Sequence, residues 1–199
     1  MTKPRTMNTK DFYHVTIHGH NKMSIFENAY DCNRFLKILE RVHEKYPFTL
    51  IAYCIMPNHY HLLIRPLEKP LSVIMASINL RYSLYYKQRY GHKGTIYDQR
   101  YFSSIITNPK HLIDVSIYIH CNPIHCKTPL ATTAEEYLYS SYRFYNSSSQ
   151  SSPPYLEKHI LLNSLSSLLP DTLNSYKQLI LTKKPYRSKK KRLFRLAKR

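Results

Sequence analysis

The apolar positions change period several times along the first 145 residues. Phe12 to Ile17 (FYHVTI), dense in β-branched and aromatic residues, predicts a strand. Phe35, Leu36, Ile38, Leu39 and Val42 then recur at helical spacing, and Pro47 closes that helix. Phe48 to Met56 (FTLIAYCIM) and His59 to Arg65 (HYHLLIR) read as two strands. Met56, Pro57 and Asn58 between them have a turn composition, which makes the pair an antiparallel hairpin. Leu71, Ile74, Met75, Ile78, Tyr82, Tyr85 and Tyr86 mark a second amphipathic helix, and Tyr101 to Thr107 (YFSSIIT) a fourth strand. A third helix starts near Pro109 and is expected to stop at Cys121, because a proline at 123 disfavours helix at Asn122. Strand, helix, strand, strand, helix, strand is the split βαβ order. The expected fold is therefore α+β, a ferredoxin-like antiparallel sheet with helices on one face.

The pattern breaks at Asn146 to Pro154 (NSSSQSSPP), which has no apolar anchor and reads as a linker over about 146–155. Leu161, Leu162, Leu165, Leu168 and Leu169, then Leu173, Tyr176, Leu179 and Ile180 beyond Pro170, predict a short helical pair within 156–182. The expected organisation is a main domain over 1–145, this linker, the helical extension, and a tail over 183–199.

Composition sharpens the question of partners. The 199 residues hold 30 Lys+Arg against 12 Asp+Glu, a formal net charge of +18, and 43% are hydrophobic. Such a chain can bury a core and calls for a polyanionic partner. The last 17 residues, KKPYRSKKKRLFRLAKR, contribute ten Lys+Arg and no acid, which leaves +8 on the rest. Lys189, Lys190, Lys191 and Arg192 lie at the centre of this tail and are candidate phosphate contacts. No apolar run approaches the ~18 residues that span a bilayer. The first ten residues, MTKPRTMNTK, lack an apolar signal core. A cytoplasmic, nucleoid-associated protein is expected. Cys32, Cys54, Cys121 and Cys126 show no CxxC spacing and read as reduced thiols.

The sharpest local feature is His59-Tyr60-His61 on a predicted strand. Period-two geometry sends both imidazoles to one face about 7 Å apart, while Tyr60, Leu62 and Ile64 point to the other and can pack under the helices. Paired neutral imidazoles suit Mn²⁺, Zn²⁺ and related ions better than Mg²⁺. In Tyr118-Ile119-His120-Cys121-Asn122-Pro123, Tyr118 and Asn122 stand four apart and share a helix face. Asn122 offers a hard carbonyl oxygen and Tyr118 a phenol. A phenol is protonated at neutral pH, so as a nucleophile it needs a nearby cation or base.

Taken together these motifs resemble the tyrosine transposases of the HUH endonuclease superfamily, which act on single-stranded DNA, and within it the REP-associated branch. The resemblance runs through Tyr13-His14-Val15-Thr16, Ile51 to Leu63 (IAYCIMPNHYHLL), Gly94 to Tyr101 (GTIYDQRY), Tyr118 to Pro123 (YIHCNP) and Ser140-Ser141-Tyr142. It covers roughly residues 8 to 145. It implies that His59 and His61 bind a divalent metal, Mg²⁺ or Mn²⁺, that Asn122 completes the metal site, and that Tyr118 is the nucleophile, carried on a helix near the histidine strand. It further implies a 5′-phosphotyrosine intermediate, single-stranded or hairpin DNA as partner, and a monomer or homodimer. Gln99 and Arg100 match a family stretch and are candidate DNA contacts. The chain departs from the family pattern at Ile124-His125-Cys126, where an Arg-Ala pair is usual, and at Tyr97 and Tyr137, where Trp is common. The alternative is a catalytically inactive basic DNA- or RNA-binding protein on the same scaffold. A zinc hydrolase is a weaker rival, since no HExxH or CxxC accompanies the pair and Tyr118 would have no task.

Overall fold

A computed structural model describes residues 10–146, 151–168 and 172–183. Four antiparallel strands, β1 (Tyr13–His18), β2 (Phe48–Met56), β3 (His59–Pro66) and β4 (Phe102–Ile105), form one sheet in the order β2-β3-β1-β4. Helices α1 (Ala29–Lys45) and α2 (Leu71–Tyr90) follow β1 and β3, which completes the ferredoxin-like arrangement. The Asn28 side chain caps α1 by accepting from the Tyr30 and Asp31 N–H groups, and Gly91, at φ 62°, ends α2 in a left-handed turn.

The two faces of the sheet are covered by different elements. Helices α1 and α2 pack Phe35, Ile38, Leu39, Ile74, Ile78 and Tyr82 onto Val15, Ile17, Tyr60, Leu62 and Ile64. On the opposite face lies α3 (Pro109–His125), running along β2 and β3 over Ile51, Cys54, Met56 and Leu63. A bulge in β2 between Leu50 and Ala52 turns both Ile51 and Ala52 toward α3, and all nine residues of β2 are buried. Cys32, Cys54 and Cys121 are buried free thiols, and Cys126 is half-buried.

Helix α3 corrects one expectation, because it continues through Pro123 to His125. Proline removes one N–H from the ladder, and here the loss falls in the final turn. Pro123 is itself buried, and the Cys126 N–H closes the helix on the Asn122 carbonyl at 3.1 Å. Asn122 therefore remains helical, one turn beyond Tyr118.

The chain beyond residue 150 returns to the sheet. Leu156 makes a parallel bridge to Leu50 at the outer edge of β2, after the short helix α4 (Tyr142–Asn146). Helices α5 (Lys158–Ser166) and α6 (Thr172–Thr182) then bury Leu161, Leu165, Tyr176 and Ile180 with α3. Residues 147–150 of the Ser/Pro segment, and Lys189, Lys190, Lys191 and Arg192 of the tail, lie outside the described residues.

Candidate active site

The β2–β3 turn sets the position of the histidine pair, and a loop from the end of β1 clamps that turn. The Gly19 N–H bonds the Asn58 carbonyl at 2.8 Å, and the Ile25 and Phe26 N–H groups bond the Pro57 carbonyl at 2.8 and 2.9 Å. Gly19 is required there, since a Cβ would stand 2.2 Å from the Met23 carbonyl oxygen. β1 then runs antiparallel to β3 with His18 opposite His59, Thr16 opposite His61 and His14 opposite Leu63. Directly paired residues share a face. His14, Thr16, His18, His59 and His61 therefore form one polar patch at the centre of the sheet, at the margin of α3.

In each member of the histidine pair Nδ1 is engaged. His59 Nδ1 lies 2.7 Å from Asn58 Oδ1, an atom that can only accept, so Nδ1 carries the proton and Nε2 the lone pair. His61 Nδ1 lies 2.9 Å from Thr16 Oγ1 and 3.0 Å from His14 Nε2. With the proton on Nδ1 both contacts are favourable, and the lone pair falls on Nε2. That Nε2 is buried and has no hydrogen-bond partner. Burial holds His59 and His14 down to a pKa of about 4 and His61 well below the usual imidazole range, with neighbouring imidazoles adding to the depression. All three are neutral at pH 7, the state in which imidazole binds a metal.

Helix α3 contributes the other two predicted residues. Its first turn is capped by the Asn108 side chain, which accepts from the His111 N–H at 2.8 Å, with Pro109 at the first helical position. His111, Tyr118 and Asn122 then follow at spacings that share one face. Tyr118 is 41% exposed, and its ring meets His61 edge-on at 5.5 Å and His14 at 5.8 Å between centroids. Asn122 hydrogen-bonds the His59 side chain and opposes the lowering of its pKa. The structure thus brings His59, His61, Tyr118 and Asn122 together. Gln99 and Arg100 are exposed in the loop after α2. This loop is tied to the end of β1 by the Asp98 N–H, 3.0 Å from the His18 carbonyl, and by a bridge from Tyr97 to Gly19.

The sequence alone gives no role to His14, Thr16 and His18. Their signal was the same period-two alternation that exposes His59 and His61. Another unassigned residue, His120, sits on the far side of α3 with no exposure. Its Nδ1 lies 2.6 Å from the Tyr176 hydroxyl and its Nε2 2.8 Å from Ser141 Oγ. Tyr176 donates to Ser116 Oγ at 3.1 Å, and the Tyr53 N–H donates to Ser141 Oγ at 2.8 Å. One neutral tautomer of His120 satisfies this whole chain, and burial lowers its pKa to about 3. The network ties α3 to β2, to residue 141 and to α6.

Comparison with known proteins decides the family. Residues 9–122, the strands and helices that carry all four grouped residues, match the family described as IS200-like transposases. The chain belongs to that family. IS200-like transposases are enzymes that act on DNA. A Haemophilus influenzae protein provisionally named a REP-associated tyrosine transposase is 26% identical over 122 residues, 55% of this chain and 68% of that protein. The solved structure of a REP-associated tyrosine transposase bound to a REP hairpin superposes with a TM-score of 0.61 at 16% identity, covering 79% of this chain and 92% of that one. This IS200-like chain therefore shares the fold of the REP-associated enzymes. Among its described residues, no helix is long and apolar enough to cross a membrane, and no three His, Cys, Asp or Glu side chains form a metal cluster by themselves.

Proposed function

We propose that this chain is a metal-dependent single-strand DNA endonuclease and transposase. It cleaves and rejoins DNA through a 5′-phosphotyrosine intermediate at hairpin-containing sequences. The observation that carries this reading is the buried, unpartnered Nε2 of His61, whose ring is flanked by the His59 imidazole and the Tyr118 ring, with the Asn122 amide bonded to His59. A lone pair buried without a donor is costly unless something else occupies it.

Of the two expected ions the donor set fits Mn²⁺ better than Mg²⁺: two neutral imidazole nitrogens from His59 and His61, and the carbonyl oxygen of Asn122. When bound, such an ion draws charge from phosphate oxygens and offsets their repulsion of an incoming oxyanion. His61 is fixed for this by Thr16 and His14, and His59 by Asn58. Tyr118, exposed on α3, attacks phosphorus in line. Its oxygen gains the P–O bond as the bond to the 3′ oxygen breaks, and the departing strand takes up a proton as a 3′-hydroxyl. Attack by a 3′-hydroxyl reverses the step and frees Tyr118, so the phosphodiester is kept through the exchange. All the groups assigned a role in this step belong to one chain.

The substrate in this reading is single-stranded, because a strand freed from duplex can turn its phosphate to meet Tyr118 in line on the exposed face of α3. A hairpin beside the cleavage site is supported by the related transposase solved with a REP hairpin. Gln99 and Arg100, in the loop tied to His18, would contact the DNA backbone, and the basic tail with Lys189, Lys190, Lys191 and Arg192 would add sequence-independent attraction.

The test is incubation of the full chain with hairpin oligonucleotides bearing single-stranded flanks, with and without Mn²⁺, followed by denaturing electrophoresis. A denaturation-resistant protein–DNA adduct that requires the metal is expected. Hairpin binding with no adduct at any metal concentration would instead favour the inactive binding protein.

A further inference from the structure

Two exposed aromatic rings flank the imidazole patch, and only one of them has a task in the reaction. Tyr118 approaches from α3. The other is Phe102 at the start of β4, 50% exposed. Its register partner on β1 is Thr16, whose hydroxyl contacts His61, so Phe102 projects from the same face of the sheet as His61. Ser104, opposite His14, shares that face. Helix α3 lies over β2 and β3 and reaches His14 through Tyr118, while the β4 end of this face is exposed at Phe102. Other exposed aromatics are placed differently: Tyr30 and Tyr90 both pack beside Arg89 at the α1–α2 end, away from the histidines.

Strands lie about 4.8 Å apart, so Phe102 stands roughly 10 Å from His61 across β1. That is within reach of a neighbouring nucleotide along a single strand lying across the patch. A half-exposed ring at this distance, beside the imidazole patch of a chain carrying +18, is the arrangement by which single-strand-binding surfaces hold bases. Exposed Arg100 lies two residues upstream of it.

We infer that Phe102 is a nucleobase-stacking platform, which holds a base one or two nucleotides from the scissile phosphate and so aligns that phosphate with Tyr118. The inference deepens the proposed single-strand reading and rests on it. Stacking reads no hydrogen-bond pattern, so Phe102 positions the strand and leaves sequence choice to other groups.

The chain contains no tryptophan, which makes the test direct. Phe102→Trp introduces a single tryptophan at the platform, excited selectively over the tyrosines, and Leu80→Trp, on the exposed side of α2, gives a control. Both variants and Phe102→Ala are titrated as full chains with a mixed-sequence single strand of about twelve nucleotides in metal-free buffer, where no cleavage occurs. Phe102→Trp emission should be quenched on saturation while Leu80→Trp emission is unchanged. Phe102→Ala should weaken binding about fivefold or more, with Phe102→Trp retaining the parent affinity. An abasic site moved along the oligonucleotide should abolish quenching when it falls at the platform, a readout that a purely structural role would not produce. Unquenched Phe102→Trp, or parent-like affinity in Phe102→Ala, overturns the platform while leaving the proposed function standing. Failure of the parent chain to bind any single strand overturns the proposed function itself, and the platform with it.

Discussion

The Tyr176 hydroxyl lies 2.6 Å from Nδ1 of His120, so helix α6 is bonded to the middle of the helix that carries Tyr118 and Asn122. His120 is two positions from each of them and points the other way, into the core. The family match ends at residue 122, yet α6 and Ser141, which hold this helix, come later in the chain.

Tyr176→Phe should therefore cost about 1–3 kcal/mol of stability, the penalty for leaving the buried His120 N–H and Ser116 hydroxyl short of a partner. Urea unfolding followed by circular dichroism measures it. A midpoint equal to that of the parent would mean that the network carries no weight.

Thr16 acts on the proposed ligand through its hydroxyl, 2.9 Å from His61 Nδ1. Thr16→Val keeps the shape and removes the acceptor, so Mn²⁺ affinity by titration calorimetry should fall about tenfold or more. Thr16→Ser should restore most of it. Equal affinity in the valine and parent chains would show that the hydroxyl does not orient His61.

Acid should destabilise the fold well above the carboxylate range. His14 and His120 titrate at about 4 and about 3 when folded, against about 6.5 in an unfolded chain. The unfolded state therefore binds more protons below pH 6.5, and stability present above that pH is lost as pH falls toward 4 and 3. At pH 5 the loss is about 2 kcal/mol for each of the two residues. Denaturant midpoints measured from pH 7 to pH 4.5 should drop steadily, and a flat profile would contradict the burial of neutral imidazoles.

The tail makes an electrostatic prediction that its charge alone supports. Deleting Lys183 to Arg199 removes ten Lys+Arg. If about five of them meet phosphates, the log–log salt dependence of single-strand binding should flatten by about 3.5. Affinity should fall similarly for specific and scrambled DNA. An unchanged slope would exclude the tail as a phosphate-binding arm.

The strand and helix order was legible because each element carries its own period, and the HxH spacing on β3 put two imidazoles on one face without further information. The continuous apolar run of β2 held a further signal: a strand buried along its whole length needs cover on both faces, which α3 supplies opposite α1 and α2. Strand register was not legible, and without it nothing brought His14 and Thr16 to His61, although they alternate on β1 as His59 and His61 do on β3. The bond between His120 and Tyr176 joins residues 56 positions apart and has no local pattern. Pro123 misled because its bias against helix at the preceding residue is only a preference, outweighed here by the burial of Pro123 and the bond from the Cys126 N–H to the Asn122 carbonyl.

The central claim is that Tyr118 forms the covalent link to DNA. Parent and Tyr118→Phe chains are incubated with Mn²⁺ and a hairpin oligonucleotide carrying single-stranded flanks. The adduct is then digested and its peptides are mapped by mass spectrometry. The account predicts a nucleotide attached through its 5′ phosphate to the peptide containing Tyr118, and no adduct from Tyr118→Phe despite hairpin affinity within a few-fold of the parent. An adduct of normal yield from Tyr118→Phe, or a phosphoryl group mapped to another tyrosine such as Tyr97 or Tyr101, would contradict it.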